Sequence, residues 1–311
     1  MNMGFFSTIG NFVSGAISAV GRCIGGAIKT AVGSLAHVAR TVGGSLGGIF
    51  GKAAGLLGRA ASIVAGPLGP ILGPIVTQII IEVAARVIER IAQELGIIDK
   101  DDKVEEVGYR LEEAGALDDN GQLKHPEWKR PEDFDNLHDY YAYLKQMVPD
   151  ESIDYGKMKQ NRLRYVTVGT AGLTEGWSQR MGIAITDSFI LAIGRANLRQ
   201  GEITAIVNAF KGLGFSSVEL EAFLRGNGLS ISELNRIREA IISSYQALYP
   251  NKTTDDIRLR IQEWRRAVCD DAAVGEQYKD WIQDIQSQAD QGLAPEDIDF
   301  HHEPSYTKDM K

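Results

Sequence analysis

The sequence predicts an all-α protein, with glycine-rich apolar helical hairpins at the N-terminus followed by an acidic multi-helix domain. Three observations predict it. Apolar residues recur every four positions at Ile75, Ile79, Val83, Val87, Ile91 and Leu95, the spacing of one helix face. Helix-start signatures recur after residue 200: Ser216 with Glu219, Ser230 with Glu233, and Thr253 with Asp256, each a capping box. No segment holds the period-2 alternation of a half-buried strand.

Charge divides the chain. No Asp or Glu precedes Glu82, and residues 1–81 carry only Arg22, Lys29, Arg40, Lys52 and Arg59. That region is +5 and holds 17 of the 34 glycines, whereas the remaining residues are −13. So abrupt a change marks a boundary. It gives a glycine-rich region (1–81), an amphipathic connecting helix (82–99), an acidic helical domain (100–291) and a flexible tail (292–311). The overall charge of −8 argues against a nucleic-acid partner, because phosphate binding wants a basic footprint. Two cysteines, Cys23 and Cys269, are too few for a disulfide scaffold or a four-cysteine zinc site.

Glycine in a water-exposed helix costs about 1 kcal/mol relative to alanine. The penalty is offset where helix backbones must touch. Gly43, Gly47, Gly51 and Gly55 form an unbroken four-residue series, and Gly21, Gly25 and Gly33 a shorter one with Lys29 in the missing place. These seven glycines are the candidate helix-packing positions. Arg22, Lys29 and Arg40 share one helical stripe, and Lys52 and Arg59 share another. Cations beside Gly, Ile, Val and Leu suit an anionic lipid surface. Residues 1–21 and 60–81 are uncharged and long enough to cross a bilayer, which takes about 20 residues. Pro67, Pro70 and Pro74, in GPLGPILGP, make the second stretch a hinge or a re-entrant hairpin. Burial inside a soluble protein is the alternative reading, and the two are compatible as a shielded and an open state.

Beyond residue 100 the pattern predicts helices over 104–114, 134–147, 183–196, 203–213, 218–225, 231–248, 255–269 and 275–289, with a polar loop over 118–133. The motif [FL]-[KR]-G-x-G-[FL]-S-x-x-E-L occurs twice, from Phe210 and from Leu224, and encodes two tight helix corners. The apolar run 183–193 reads as a core helix; in a membrane its Asp187 would need a partner. His301, His302 and Glu303 lie in the tail and do not suggest a closed metal site. There is no P-loop, nucleophile elbow, H-E-x-x-H or dinucleotide fingerprint, so neither catalysis nor a metal or cofactor is expected.

The stretch GGSLGGIFGKAAG, within about eighty apolar Gly/Ala-rich residues, resembles the glycine-zipper region of membrane-depolarising interbacterial toxins, including some type VI secretion effectors. The resemblance implies insertion into a target cell's membrane, ion leakage, and assembly of copies through glycine faces. It implies a soluble form in the producing cell, then delivery. Large apolar surfaces do not stay free in water, so a masking partner is expected: an immunity protein, a chaperone or a secretion component. Two other readings remain. From Met3 the stretch MGFFST fits a myristoylation pattern and is similar to minor capsid proteins that perforate membranes, a role an ejection protein would share. Alternatively, the chain is a soluble helical adaptor with a glycine-rich docking arm.

Overall fold

The computed structural model describes residues 15–182, 184–214 and 217–300. Among the described residues the chain is all-α, with one isolated antiparallel bridge, Leu117 to Leu123, at the start of the 118–133 loop.

Helix α1 spans Gly15–Val42 and α2 spans Gly44–Glu94. They are joined at Gly43 and Gly44, whose φ values of 64° and 57° lie in the left-handed region, where glycine is unstrained. α1 then runs back along the first half of α2. Its Ile17, Val20, Ile24, Ile28, Ala31 and Leu35 are buried on one stripe, as an amphipathic helix requires. α2 breaks at Gly69 (φ 73°, ψ 178°), inside the proline run. Pro70 follows immediately, and proline is well tolerated in a first helical turn because it lacks only an N–H that has no partner there.

The second half of α2 is the centre of the molecule. Every residue from Ile75 to Ala85 is buried, so this stretch has no polar face, and the expectation of an amphipathic connector fails there. The compositional boundary at 81/82 is not a structural one, since a single helix crosses it. Thr77 keeps its hydroxyl satisfied by donating to the Gly73 carbonyl at 2.9 Å.

Around it lie α3 (Val104–Ala114), α4 (Leu137–Met147), α5 (Tyr155–Gln160), α6 (Arg162–Met181) and α7 (Asp187–Arg195). The chain continues through α8 (Gln200–Leu213), α9 (Ser217–Arg225), α10 (Ile231–Leu248), α11 (Thr254–Cys269), α12 (Asp271–Gln277) and α13 (Lys279–Asp290). α3 and α10 have the predicted bounds. The helix predicted over 275–289 is interrupted at Tyr278, giving α12 and α13. The boxes at Ser230 and Thr253 are formed; Ser216 lies outside the described residues.

The sequence reading missed α5 and α6. α6 contains Thr167, Thr170 and Thr174 among valines and glycines, a composition of poor helix propensity. Each threonine hydroxyl donates to the carbonyl four residues back, at 2.6–2.7 Å. Burial on both sides does the rest. α3 crosses α6 at a glycine pair: a β-carbon on Gly108 would lie 1.9 Å from the Tyr165 carbonyl oxygen, and one on Gly169 1.9 Å from that of Val104.

The tail is partly docked. Ile298 and Phe300 are buried, and Arg86 donates to the Phe300 carbonyl at 3.0 Å. These contacts tie residues 298–300, within the segment read as a flexible tail, to the helices. Residues 301–311, with His301, His302 and Glu303, lie outside the described residues.

Two glycine substitutions separate close packing from open space. Gly108→Ala should destabilise by about 1–3 kcal/mol, the usual cost of overpacking. Gly33→Ala, on an exposed helix surface with nothing within 4 Å, should stabilise by about 0.5–1 kcal/mol. Urea unfolding midpoints check both.

Candidate functional site

The candidate region is the cationic hairpin of α1 and the first half of α2, with the apolar helix it leads into. Its glycines do not share one partner. Gly43 forms the turn. A β-carbon on Gly47 would sit 2.6 Å from the Ala39 carbonyl oxygen, and one on Gly51 3.9 Å from the Ala39 methyl. Gly55 faces the Asp187 carboxylate at 3.0 Å. The reason is geometric: four residues advance about 40° beyond a full turn, so a series twelve residues long rotates across several neighbours. In the shorter series, a β-carbon on Gly21 would lie 2.3 Å from the Ile71 carbonyl oxygen, and one on Gly25 3.3 Å from Pro74. These two bring α1 against the helix beyond the break. Gly33 touches nothing.

The cations divide likewise. Arg22, Lys29 and Arg40 are exposed on the outer face of α1, with Gly26, Ala27 and Gly33 between them. Lys52 and Arg59 reach the acidic domain, Lys52 half-buried and Arg59 still exposed. Lys52 lies 3.7 Å from Glu175 of α6, and Arg59 lies 3.9 Å from Asp187 of α7 and donates to the Ser188 hydroxyl at 3.3 Å. The expected headgroup stripe of Lys52 and Arg59 is therefore engaged with the acidic domain in this state. Arg164 adds a contact from α6 to Ser34 at 3.2 Å. Glu132, in the polar loop, accepts from the Ser45 backbone N–H at the start of α2. No local sequence pattern could have paired Glu132 with Ser45, since the contact spans 87 positions.

Glu82 marks the end of the uncharged stretch. It is buried, and both its oxygens accept from Arg162, each at 2.9 Å; Arg162 also bonds Glu105 at 2.9 Å. A bidentate guanidinium–carboxylate pair fixes direction as well as charge.

Burial shapes the ionisable groups here. Desolvation raises the Asp187 carboxyl above its usual range against the opposing pull of Lys52 and Arg59. It also lowers Lys52, despite Glu175. Glu132 is held low, chiefly by the Ser45 N–H.

The prolines sit at the break. Pro74 packs on Gly25, Pro70 is exposed, and Pro67 lies in the last turn before Gly69. Elsewhere, the carboxylates of Asp99, Asp101 and Asp102 converge within 4.8 Å, but Lys145 bonds Asp99 at 2.9 Å and Asp102 at 2.8 Å. Lys145 thus occupies two of the three carboxylates. One described helix, Gly69–Glu94, is long and apolar enough to cross a bilayer, and 83% of its most apolar window is buried. No family model, curated protein or solved structure matches the chain.

Arg162→Met should cost about 3–5 kcal/mol in unfolding free energy, because it strands a buried carboxylate, and the double variant with Glu82→Met should recover most of that loss. The pH response has a defined sign. Asp187 has a folded pKa above its unfolded value, so its unfavourable contribution is fully present above that folded pKa. It is relieved as pH falls through the folded pKa toward 3.8. Glu89, Glu106 and Glu112 are raised by burial and act in the same direction. The urea midpoint should therefore rise as pH falls from 7 toward the ordinary carboxylate range, and rise less in Asp187→Asn. Below the ordinary carboxylate range, the low-lying Glu132, Glu233 and Asp256 lose their caps and the midpoint should fall.

Proposed function

We propose that this protein is a membrane-active α-helical protein, of the kind exemplified by secreted interbacterial toxins. In this reading the described fold is its shielded, water-soluble state. The exposed stripe of Arg22, Lys29 and Arg40 makes first contact with anionic lipid. The hairpin and the apolar helix beyond Gly69 then insert, with bare glycine backbones supplying close helix contact and copies assembling in the bilayer. The break at Gly69, flanked by Pro67 and Pro70 and followed by Pro74, is the hinge. No catalytic residue, cofactor or nucleic acid is invoked.

One observation carries the reading. A segment free of carboxylates from residue 15 to 81 ends in the one described helix apolar enough to span. That helix packs in the protein's own core, so the masking role first assigned to a partner is met within the chain. An immunity protein, chaperone or secretion component would then act on release and delivery. Moving such a helix from a protein core to lipid changes its apolar free energy little, because acyl chains are as apolar as leucine.

The adaptor reading keeps one specific support. The same enclosure is what a permanently soluble protein would have, and the outer face of α1 would then serve as its docking arm.

Purified protein should release dye from vesicles containing phosphatidylglycerol and leave pure phosphatidylcholine vesicles intact. Arg22→Gln, Lys29→Gln and Arg40→Gln together should cut that release at least tenfold without moving the urea midpoint. A protein that neither binds nor permeabilises either vesicle leaves the adaptor reading standing. Release that is indifferent to the triple change removes the cationic stripe from the mechanism.

A further inference from the structure

A cleft of about 260 Å³ opens where the hairpin meets the acidic domain. Its polar walls are Arg59 and Ser62 of α2, Ser188 and Arg195 of α7, and Arg225 of α9. Three guanidiniums on one small cleft are unexpected in a chain with a net charge of −8. The floor is apolar, formed by Leu191 and Ala192 of α7 and Val268 of α11, all buried.

The geometry points to a binding site for a phosphate group, either free or as the ester of a small apolar body. Guanidinium forks match phosphate oxygens bidentately. Arg195 is buried, and its Nε donates to the Ala267 carbonyl at 3.1 Å, which fixes its place in the wall. Arg225 is half-exposed, and its Nε bonds Glu221 at 2.9 Å. Arg59 contacts Asp187 only at 3.9 Å, beyond hydrogen-bond range, so an anion competes for it at small cost. The Ser188 hydroxyl accepts from Arg59 and keeps its own proton to donate. Asp187 and Glu221 are the acids paired with these walls, each already held by an arginine.

Size restricts the ligand. The cleft lies near the lower end, about 300 Å³, of the volumes that hold drug-sized molecules. A phosphate carrying a short alkyl or glyceryl group fits, with its carbon on Leu191, Ala192 and Val268. The site draws walls from both compositional halves of the chain. Ligand bound there stabilises the docked hairpin by mass action. This inference stands apart from the membrane reading, since it concerns the soluble protein and a soluble ligand.

Calorimetric titration of the intact protein tests it, in chloride buffer of matched ionic strength. The two probes are inorganic phosphate and dihexanoyl phosphatidic acid below its micellar concentration. Saturable one-to-one binding is expected. Arg59→Gln and Arg225→Gln, both partly exposed, should each weaken it about tenfold, the loss of one charge-assisted contact, with an unchanged circular dichroism spectrum. Binding of both probes identifies the phosphate group itself as the ligand. Binding of the short-chain lipid alone identifies a lipid headgroup seated on the apolar floor. If neither probe binds, or if the two variants bind as well as the parent, the site does not exist as described.

Discussion

From Ile75 to Ala85 the second half of α2 offers water no polar face, and the rest of the molecule is arranged to enclose it. Fully burying one aliphatic side chain contributes about 1.5–3 kcal/mol, and this stretch holds four isoleucines and two valines. Set beside that, each exposed or half-exposed ion pair that ties the hairpin to the acidic domain is worth at most about 1 kcal/mol. The apolar contact therefore holds the hairpin in place, and the pairs decide its register.

Close backbone approach is the second constraint, and two helix crossings illustrate it. α1 meets the helix beyond the break at Gly21, and α3 crosses α6 at Gly108 and Gly169. In both places a β-carbon would overlap a carbonyl oxygen. Only the first lies in the glycine-rich region. Small residues thus serve ordinary helix crossing in the acidic domain as well, so glycine spacing alone does not separate a zipper for lipid from a crossing in a soluble core.

Much of the helical architecture was legible in local pattern. Capping boxes at Ser230 and Thr253 and the glycine corner at Gly226 are short-range devices, and the helices they start and stop lie where the sequence puts them. α6 was not legible, because its threonines and glycines are tolerated only once both faces are covered, and that cover comes from α2 and α3. The pairing of Lys52 and Arg59 with the acidic domain was equally hidden. A stripe read on an isolated helix gives the angle between residues but not which neighbour lies at that angle. The drift of about 40° per step is what sends Gly47 toward Ala39 and Gly55 toward Asp187.

Charge segregation gains its physical sense from these contacts. A segment with cations alone cannot pair internally, so every ionic contact it makes must come from elsewhere. In this fold the acidic domain supplies Glu175 to Lys52 and Asp187 to Arg59, while the three cations of α1 stay exposed. An acyl-chain environment would match the core in apolar free energy but could not replace Arg162 on Glu82, and an unpaired charge at mid-bilayer costs about 2.5–3.5 kcal/mol even on the most lenient scale. Glu82 lies 13 positions after Gly69, near the middle of the one described helix long and apolar enough to span. Its carboxylate, and not the apolar body of the helix, therefore dominates the free-energy difference between protein and lipid. The Glu82–Arg162 pair is the contact that must be broken or carried along.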